Sequence, residues 1–432
     1  LSSLSNMFDK PTRAGFKKSL PLIGCIKLTC GGTNMKKVIA LILSILLLIS
    51  CAGAEEPLED TFDEAPWQTA ETLRTVEDIP LRVPSAILME KETGAILYEL
   101  NSHERLAPAS VTKIMTMLLI VEALERGELS LDEPVTASAH ATGMGGSQIF
   151  PREGEQMSVS DLLKSVAVAS ANDAATALAE HVAGSEEAFV SRMNARAAAL
   201  GMTDTVFSNC TGLPCQGEHL TSAYDIALMS RELIRHDMIK NYTKIWMDSV
   251  RGGEFGLSNT NKLIRFYPGA TGLKTGFTRE AMYCLSATAE RDGVEYIAVV
   301  MHGQTSDDRF ESAKILLNHA FAGYTLVSAL PDEALPPIAV TLGRKSCVQP
   351  VPAQSPRILL SKTEAAGLEK SVELASVISA PVEEGQELGS LVLRSASGEE
   401  LARVPLVADE AIPRLGWGEL FVKYLRLLTL AG

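Results

Sequence analysis

Pro108-Ala109-Ser110-Val111-Thr112-Lys113-Ile114-Met115-Thr116 opens a helical run in which Ile114, Met117, Leu118, Val121 and Leu124 share one apolar side before Gly127 stops it. Ser110 and Lys113 stand three residues apart, a spacing that puts both on one helix face and sets an amine beside a hydroxyl. Burial beside Ile114 and Met115 is expected to depress the lysine pKa and free a neutral amine to act as base. Ser110 is then the nucleophile. Near a helix start its own N–H is free to donate to an oxyanion.

Two further motifs stand downstream. Ser170-Ala171-Asn172 falls between two helical patterns within residues 158–182, and Lys274-Thr275-Gly276 precedes a strand-like run from Tyr283 to Val300 with Gly293 at its turn. Ordinary composition gives about one Ser-x-x-Lys and about one Ser-x-Asn by chance in a chain of this length, so neither decides anything alone. All three in this order, each at an element boundary, supply a nucleophile, a base, a polar relay and oxyanion donors, the parts of an acyl-transfer site.

The fold follows from what surrounds these motifs. Residues 85–90 and 95–100 read as strands flanking the turn Lys91-Glu92-Thr93-Gly94, and Arg309 to Phe321 reads as a closing helix. Strands at both ends with helices between predict one α/β (α+β) domain over 79–328, its sheet assembled from distant parts of the chain. Pro331, Pro336 and Pro337 mark a boundary, after which 338–408 reads as a small β-rich domain with turns at Gly385, Gly389 and Gly398. In 412–432, Trp417, Leu420, Phe421, Tyr424, Leu427 and Leu428 fall on one helical face and Glu419, Lys423 and Arg426 on the other. That pattern predicts an amphipathic helix lying on a membrane surface.

The motif set is a known signature of β-lactamases and penicillin-binding proteins. Residues 108–116, 169–174 and 271–278 resemble the serine D-alanyl-D-alanine carboxypeptidases of the low-molecular-mass penicillin-binding proteins (peptidase family S11 type), over about residues 80–410. The resemblance implies a β-lactamase/transpeptidase-like catalytic domain, a β-rich domain and a C-terminal anchor. It implies acylation of Ser110, Lys113 as base, and Ser170 with Asn172 as relay and substrate grip. Lys274 and Thr275 would hold the peptide's terminal carboxylate, and Gly276 would let the substrate lie against the strand edge. The backbone N–H groups of Ser110 and Phe277 would form the oxyanion hole. The implied substrates are peptidoglycan stem peptides ending in D-Ala-D-Ala, with β-lactam antibiotics as covalent inhibitors and no cofactor. A D,D-endopeptidase, a β-lactamase and a non-catalytic wall-binding protein are the alternatives. The stretch from Thr205 to Pro214 offers no Glu-x-x-x-Asn, so the deacylating glutamate of class A β-lactamases has no counterpart and penicillin is expected to inhibit. An intact motif set argues against a scaffold.

Composition bounds the partners. The 432 residues are 46% hydrophobic and 21% charged with a formal charge of -14, and beyond Ala54 the balance is 32 basic against 52 acidic residues. Nucleic acid is excluded as a partner, because phosphate binding needs basic surface.

Met35-Lys36-Lys37, the apolar run Val38 to Ile49 and Ala52-Gly53-Ala54 form a signal peptide over 35–54, predicting export to the outer face of the bacterial cytoplasmic membrane. Residues 1–34 are expected to lie upstream of the true start at Met35, and 55–78, with nine acidic residues and one arginine, to be a solvated spacer. Leu48-Ile49-Ser50-Cys51 also resembles a lipoprotein box; cleavage after Ala54 is preferred, because the carboxyl end supplies an anchor. Cys210 and Cys215 flank a short turn, and a disulfide or two free thiols both remain open. Scattered histidines and cysteines give no zinc-binding spacing.

Overall fold

The computed structural model describes residues 79–430; the expected leader, signal peptide and acidic spacer lie outside them. β1 (Ser85–Glu90) and β2 (Ile96–Leu100) form the predicted hairpin. The buried Glu90 carboxylate closes its turn by accepting the N–H groups of Glu92 at 2.8 Å and Thr93 at 2.7 Å.

The chain then builds a helical layer. α1 (Lys113–Glu125), α2 (Val159–Ala169), α3 (Asn172–Ala183), α4 (Glu186–Ala199) and α5 (Ala223–Arg235) follow in order. The patterns read over 158–182 correspond to α2 and α3. The single apolar side assigned to α1 is corrected: every residue from Lys113 to Val121 is buried, Met115, Thr116, Leu119 and Ile120 included. The helix is the axis of the layer, packed by its neighbours on all sides, which is why its hydrophobicity runs all the way round.

Three strands return to the hairpin: β3 (Ala270–Thr278), β4 (Met282–Arg291) and β5 (Val294–Gly303). The sheet order is β2-β1-β5-β4-β3, antiparallel throughout, with Ser85 opposite Met301 and Lys274 opposite Ser286. Lys274-Thr275-Gly276, expected ahead of a strand, lies inside β3, the open edge of the sheet. One face packs on the helical layer through Ile87, Met89, Ile297 and Val299. The other packs through Leu88, Leu285 and Val300 on Phe310, Leu316 and Leu317 of α6 (Ser306–Gly323), which Thr305 and Asp308 start with a reciprocal capping box.

Beyond α6 come nine strands: β6 (Tyr324–Ser328), β7 (Ile338–Thr341), β8 (Cys347–Val348), β9 (Pro350–Pro352), β10 (Arg357–Ser361), β11 (Glu369–Leu374), β12 (Val377–Ser379), β13 (Glu387–Arg394) and β14 (Glu400–Ala408). They form sheets ordered β6-β10, β8-β7-β12 and β9-β14-β13-β11. β6 leads directly out of α6, yet it pairs with β10, Tyr324 opposite Ser361. Arg357 seals the junction, donating to Glu92 at 2.7 Å and to the Gly293 carbonyl at 3.1 Å. Both partners are in hairpin turns at the end of the sheet away from the β3–β4 turn. α7 (Trp417–Leu430) follows, with Trp417, Phe421, Val422 and Leu425 exposed. No helix of the described residues is long and apolar enough to cross a membrane.

Candidate active site

Ser110 sits in a single 3-10 turn, Ala109–Thr112, that runs straight into α1. Ala109 has φ +48°, a left-handed conformation uncommon for a residue with a Cβ. Two glycines wedge this turn. A Cβ on Gly212 would lie 1.8 Å from the Ala109 carbonyl oxygen, and one on Gly276 would lie 2.6 Å from that of Pro108. The glycine expected to make room for substrate is therefore required by the protein's own packing of β3 against the serine turn.

Lys113 is fully buried, and its Nζ donates to Ser110 Oγ at 3.0 Å, Asn172 Oδ1 at 2.5 Å and the Thr211 carbonyl at 2.8 Å. Burial pushes its pKa from 10.5 to about 7. Asn172 is fixed at its other end, where Nδ2 donates to the Gly145 carbonyl at 2.6 Å, so its oxygen faces the lysine.

Ser170 caps α2 in a left-handed conformation, φ +62°. The turn from Ser170 to Asn172 thus delivers one side chain to each lysine. Lys274 Nζ donates to Ser170 Oγ at 2.8 Å, and Thr275 Oγ1 donates to Thr260 Oγ1 at 2.6 Å. Burial first, then the neighbouring Lys113 and Arg309, hold Lys274 well below its ordinary range. One buried amine thus holds each serine hydroxyl, Lys113 that of partly exposed Ser110 and Lys274 that of buried Ser170, an arrangement suited to accepting and returning a proton during acyl transfer.

A family model described as D-alanyl-D-alanine carboxypeptidase matches residues 72–305, more than half of the chain. The chain belongs to that family. It is a serine D-Ala-D-Ala carboxypeptidase with a β-lactamase/transpeptidase-like catalytic domain, and residues 331–414 match the C-terminal domain of penicillin-binding protein 5. A D-alanyl-D-alanine carboxypeptidase of Bacillus subtilis, DacF, is 42% identical over 371 residues, 85% of this chain and 94% of the relative. DacC of Escherichia coli is 33% identical over 80% of this chain and 88% of its own length. Penicillin-binding protein 5 of Haemophilus influenzae superposes with a TM-score of 0.70 at 28% identity, over 79% of this chain and all of that one.

In this carboxypeptidase several site residues carry no motif. Arg309, on α6, donates to the Gly276 carbonyl oxygen at 3.0 Å, with its guanidinium 5.2 Å from the Tyr283 ring centre. Because the peptide unit is planar and trans, the Phe277 N–H points away from that arginine. The Phe277 side chain is 51% exposed and stacks on Tyr283. His219 accepts the Ser208 N–H on Nδ1 at 3.0 Å, which leaves Nε2–H to donate to Thr112 Oγ1 at 2.7 Å. Burial, then Lys113, pushes its pKa to about 4, so the ring is neutral at working pH. A lone arginine in a helix or a lone histidine in a loop gives no such signal in sequence. Cys210 is buried, Cys215 exposed, and both are free thiols.

Proposed function

We propose that Ser110 is the acylated nucleophile of this carboxypeptidase and that Lys113 is its base. The observation that carries the reading is the buried, depressed Lys113 amine 3.0 Å from Ser110 Oγ. Neutral Lys113, its two N–H groups on Asn172 and the Thr211 carbonyl, takes the Ser110 proton on its lone pair as Oγ bonds to the carbonyl carbon of the penultimate D-alanine. The oxyanion is met by the N–H groups of Ser110 and Phe277, the second aligned by Arg309 through the Gly276 carbonyl. The C–N bond then breaks, and the terminal D-alanine leaves with the proton returned from Lys113 through the Ser170 hydroxyl, while Asn172 holds the Lys113 amine in place. Lys274 and Thr275 hold the departing carboxylate. Water hydrolyses the acyl-enzyme, which trims the stem peptide by one residue.

β-Lactams take the same acylation route and stall, because no deacylating glutamate is provided; a similar protein of Listeria monocytogenes has been solved in ampicillin- and cefotaxime-bound forms. A Pseudomonas aeruginosa endopeptidase is similar over only 51% of this chain, which favours carboxypeptidase over cross-link cleavage. The enzyme works outside the cytoplasmic membrane after loss of 35–54. It is held peripherally at the membrane surface by 412–432, where Trp417 is 92% exposed and Phe421, Val422 and Leu425 lie bare beside Lys423.

Labelled penicillin and a pentapeptide ending in D-Ala-D-Ala test the chemistry. Wild type takes one label and releases one D-alanine, and Ser110→Ala does neither while unfolding normally; labelling retained in Ser110→Ala sinks the assignment. Deleting 412–432 releases the protein from membranes with activity on soluble peptide intact. Continued sedimentation with membranes moves the anchor to Cys51.

A further inference from the structure

A neutral lysine amine has two N–H groups and one lone pair, so the acceptors that hold the N–H groups decide where the lone pair points. For Lys113 these are Asn172 Oδ1 and, at 2.8 Å, the Thr211 carbonyl. Asn172 stands on α3. Thr211 stands on the irregular segment between α4 and α5, where no helix or strand fixes its carbonyl.

One side chain gives that segment its shape. Asn209 Oδ1 accepts the Gly212 N–H at 2.6 Å, the Thr211 N–H at 3.1 Å and the Thr211 hydroxyl at 3.1 Å. Its Nδ2 donates to the Leu213 carbonyl at 2.9 Å. Asparagine suits the place, because a short amide both accepts and donates within reach of the backbone that follows it. Cys210, in between, is pinned to the helical layer: its N–H donates to Glu186 Oε1 at 3.0 Å, and its carbonyl accepts Thr116 Oγ1 of α1 at 2.6 Å. The Thr211–Gly212 peptide unit is planar and trans, so holding the Gly212 N–H on Asn209 turns the Thr211 carbonyl the opposite way, onto Lys113.

We infer that Asn209 is a positioning residue of the acyl-transfer reaction: by holding the Gly212 N–H it aims the Thr211 carbonyl at Lys113, and so turns the lone pair of the amine toward Ser110. The inference rests on the acyl-enzyme reading, in which Lys113 is the base, and adds the residue that orients that base.

The test follows the rate of acylation by labelled penicillin from pH 5 to 9 in wild type, Asn209→Ala, Asn209→Asp and Asn194→Ala. A carbonyl stabilises an ammonium more than a neutral amine, so a Thr211 carbonyl turned away lowers the plateau and moves the acid limb down. Asn209→Ala should lose roughly ten-fold or more of the plateau rate. Its limb should fall by about one pH unit from the wild-type midpoint at about 7. Asn209→Asp keeps the oxygen that holds the Gly212 N–H; it should recover most of the plateau, with its limb above the wild-type midpoint because the added charge favours the ammonium. Asn194→Ala is the control for simple loosening. Asn194 grips Phe207 of the same segment, accepting its N–H at 2.9 Å and donating to its carbonyl at 2.8 Å, and holds no acceptor of Lys113. This variant should lose stability and keep the wild-type midpoint. The midpoint is read on whatever fraction folds, so lost stability does not blur it. An unmoved limb in either Asn209 variant, or the same shift in Asn194→Ala, overturns the positioning role alone. Labelling retained by Ser110→Ala overturns the acyl-enzyme reading and the positioning role with it.

Discussion

Replacing Lys113 by methionine should change how stability depends on pH, by an amount the burial of the amine sets. In the folded protein this group titrates at about 7, against 10.5 for an ordinary lysine. Between those values the unfolded chain binds a proton that the folded chain does not, so wild-type stability rises with pH from 7 toward 10.5. The penalty is full below pH 7 and absent above 10.5. At 1.36 kcal/mol per unit, raising the pH from 7 to 9 removes about 2 kcal/mol of it, allowing for half-protonation at pH 7. Lys113→Met carries no such penalty at either pH. Its loss of hydrogen bonds to Asn172 and Thr211 costs about 1 kcal/mol each, but equally at both pH values. The stability of the variant minus that of wild type should therefore fall by about 2 kcal/mol between pH 7 and pH 9. Relief of Lys274, which Lys113 also holds down, works in the same direction. Urea unfolding of both proteins at the two pH values measures the difference, and titrations common to both cancel. A difference that stays constant would mean that Lys113 is not depressed, and the neutral-amine mechanism would lose its base.

Other perturbations read other parts of the site. Wild-type kcat/KM for D-alanine release should fall about ten-fold per unit below pH 7 as Lys113 protonates; a flat profile from pH 5 to 8 would contradict it. Arg309→Met should slow penicillin acylation roughly ten-fold or more, by freeing the Gly276–Phe277 peptide. An unchanged stopped-flow rate would remove Arg309 from oxyanion alignment. Gly212→Ala should cost roughly 1–3 kcal/mol in thermal unfolding and weaken labelling, since its Cβ meets the Ala109 carbonyl.

What could be read from sequence was what repeats on a local period or carries its own chemistry. α2 and α3 showed their boundaries because Ser158 caps one and the Ser170 turn separates them. The three motifs name Ser110, Lys113, Ser170, Asn172, Lys274 and Thr275, which the fold joins by hydrogen bonds from Lys113 to Ser110 and Asn172 and from Lys274 to Ser170. The sequence of α1 suggests one apolar side only, because its period is hidden when every position is buried. α5 is marked in sequence only at its start, by Ser222 and Asp225. Arg309 and His219 act through backbone and hydroxyl partners many residues away, 33 and 107 positions in sequence. Only the tertiary fold brings those pairs together, so no spacing could announce them.

The wedge of Gly212 and Gly276 around the serine turn bears on how such an enzyme can escape an antibiotic. Neither glycine can acquire a side chain without moving the backbone that aims Ser110. Lys113 and Lys274 are equally confined, each buried among its partners. On the proposed acyl-enzyme route drug and natural substrate need the same atoms there, so resistance by alteration of that centre would disarm the enzyme. Change is tolerated where the backbone alone serves, as at Phe277, whose exposed ring contributes nothing to its own N–H. Drug selection on this protein should therefore register at exposed positions such as 277 and leave the centre untouched.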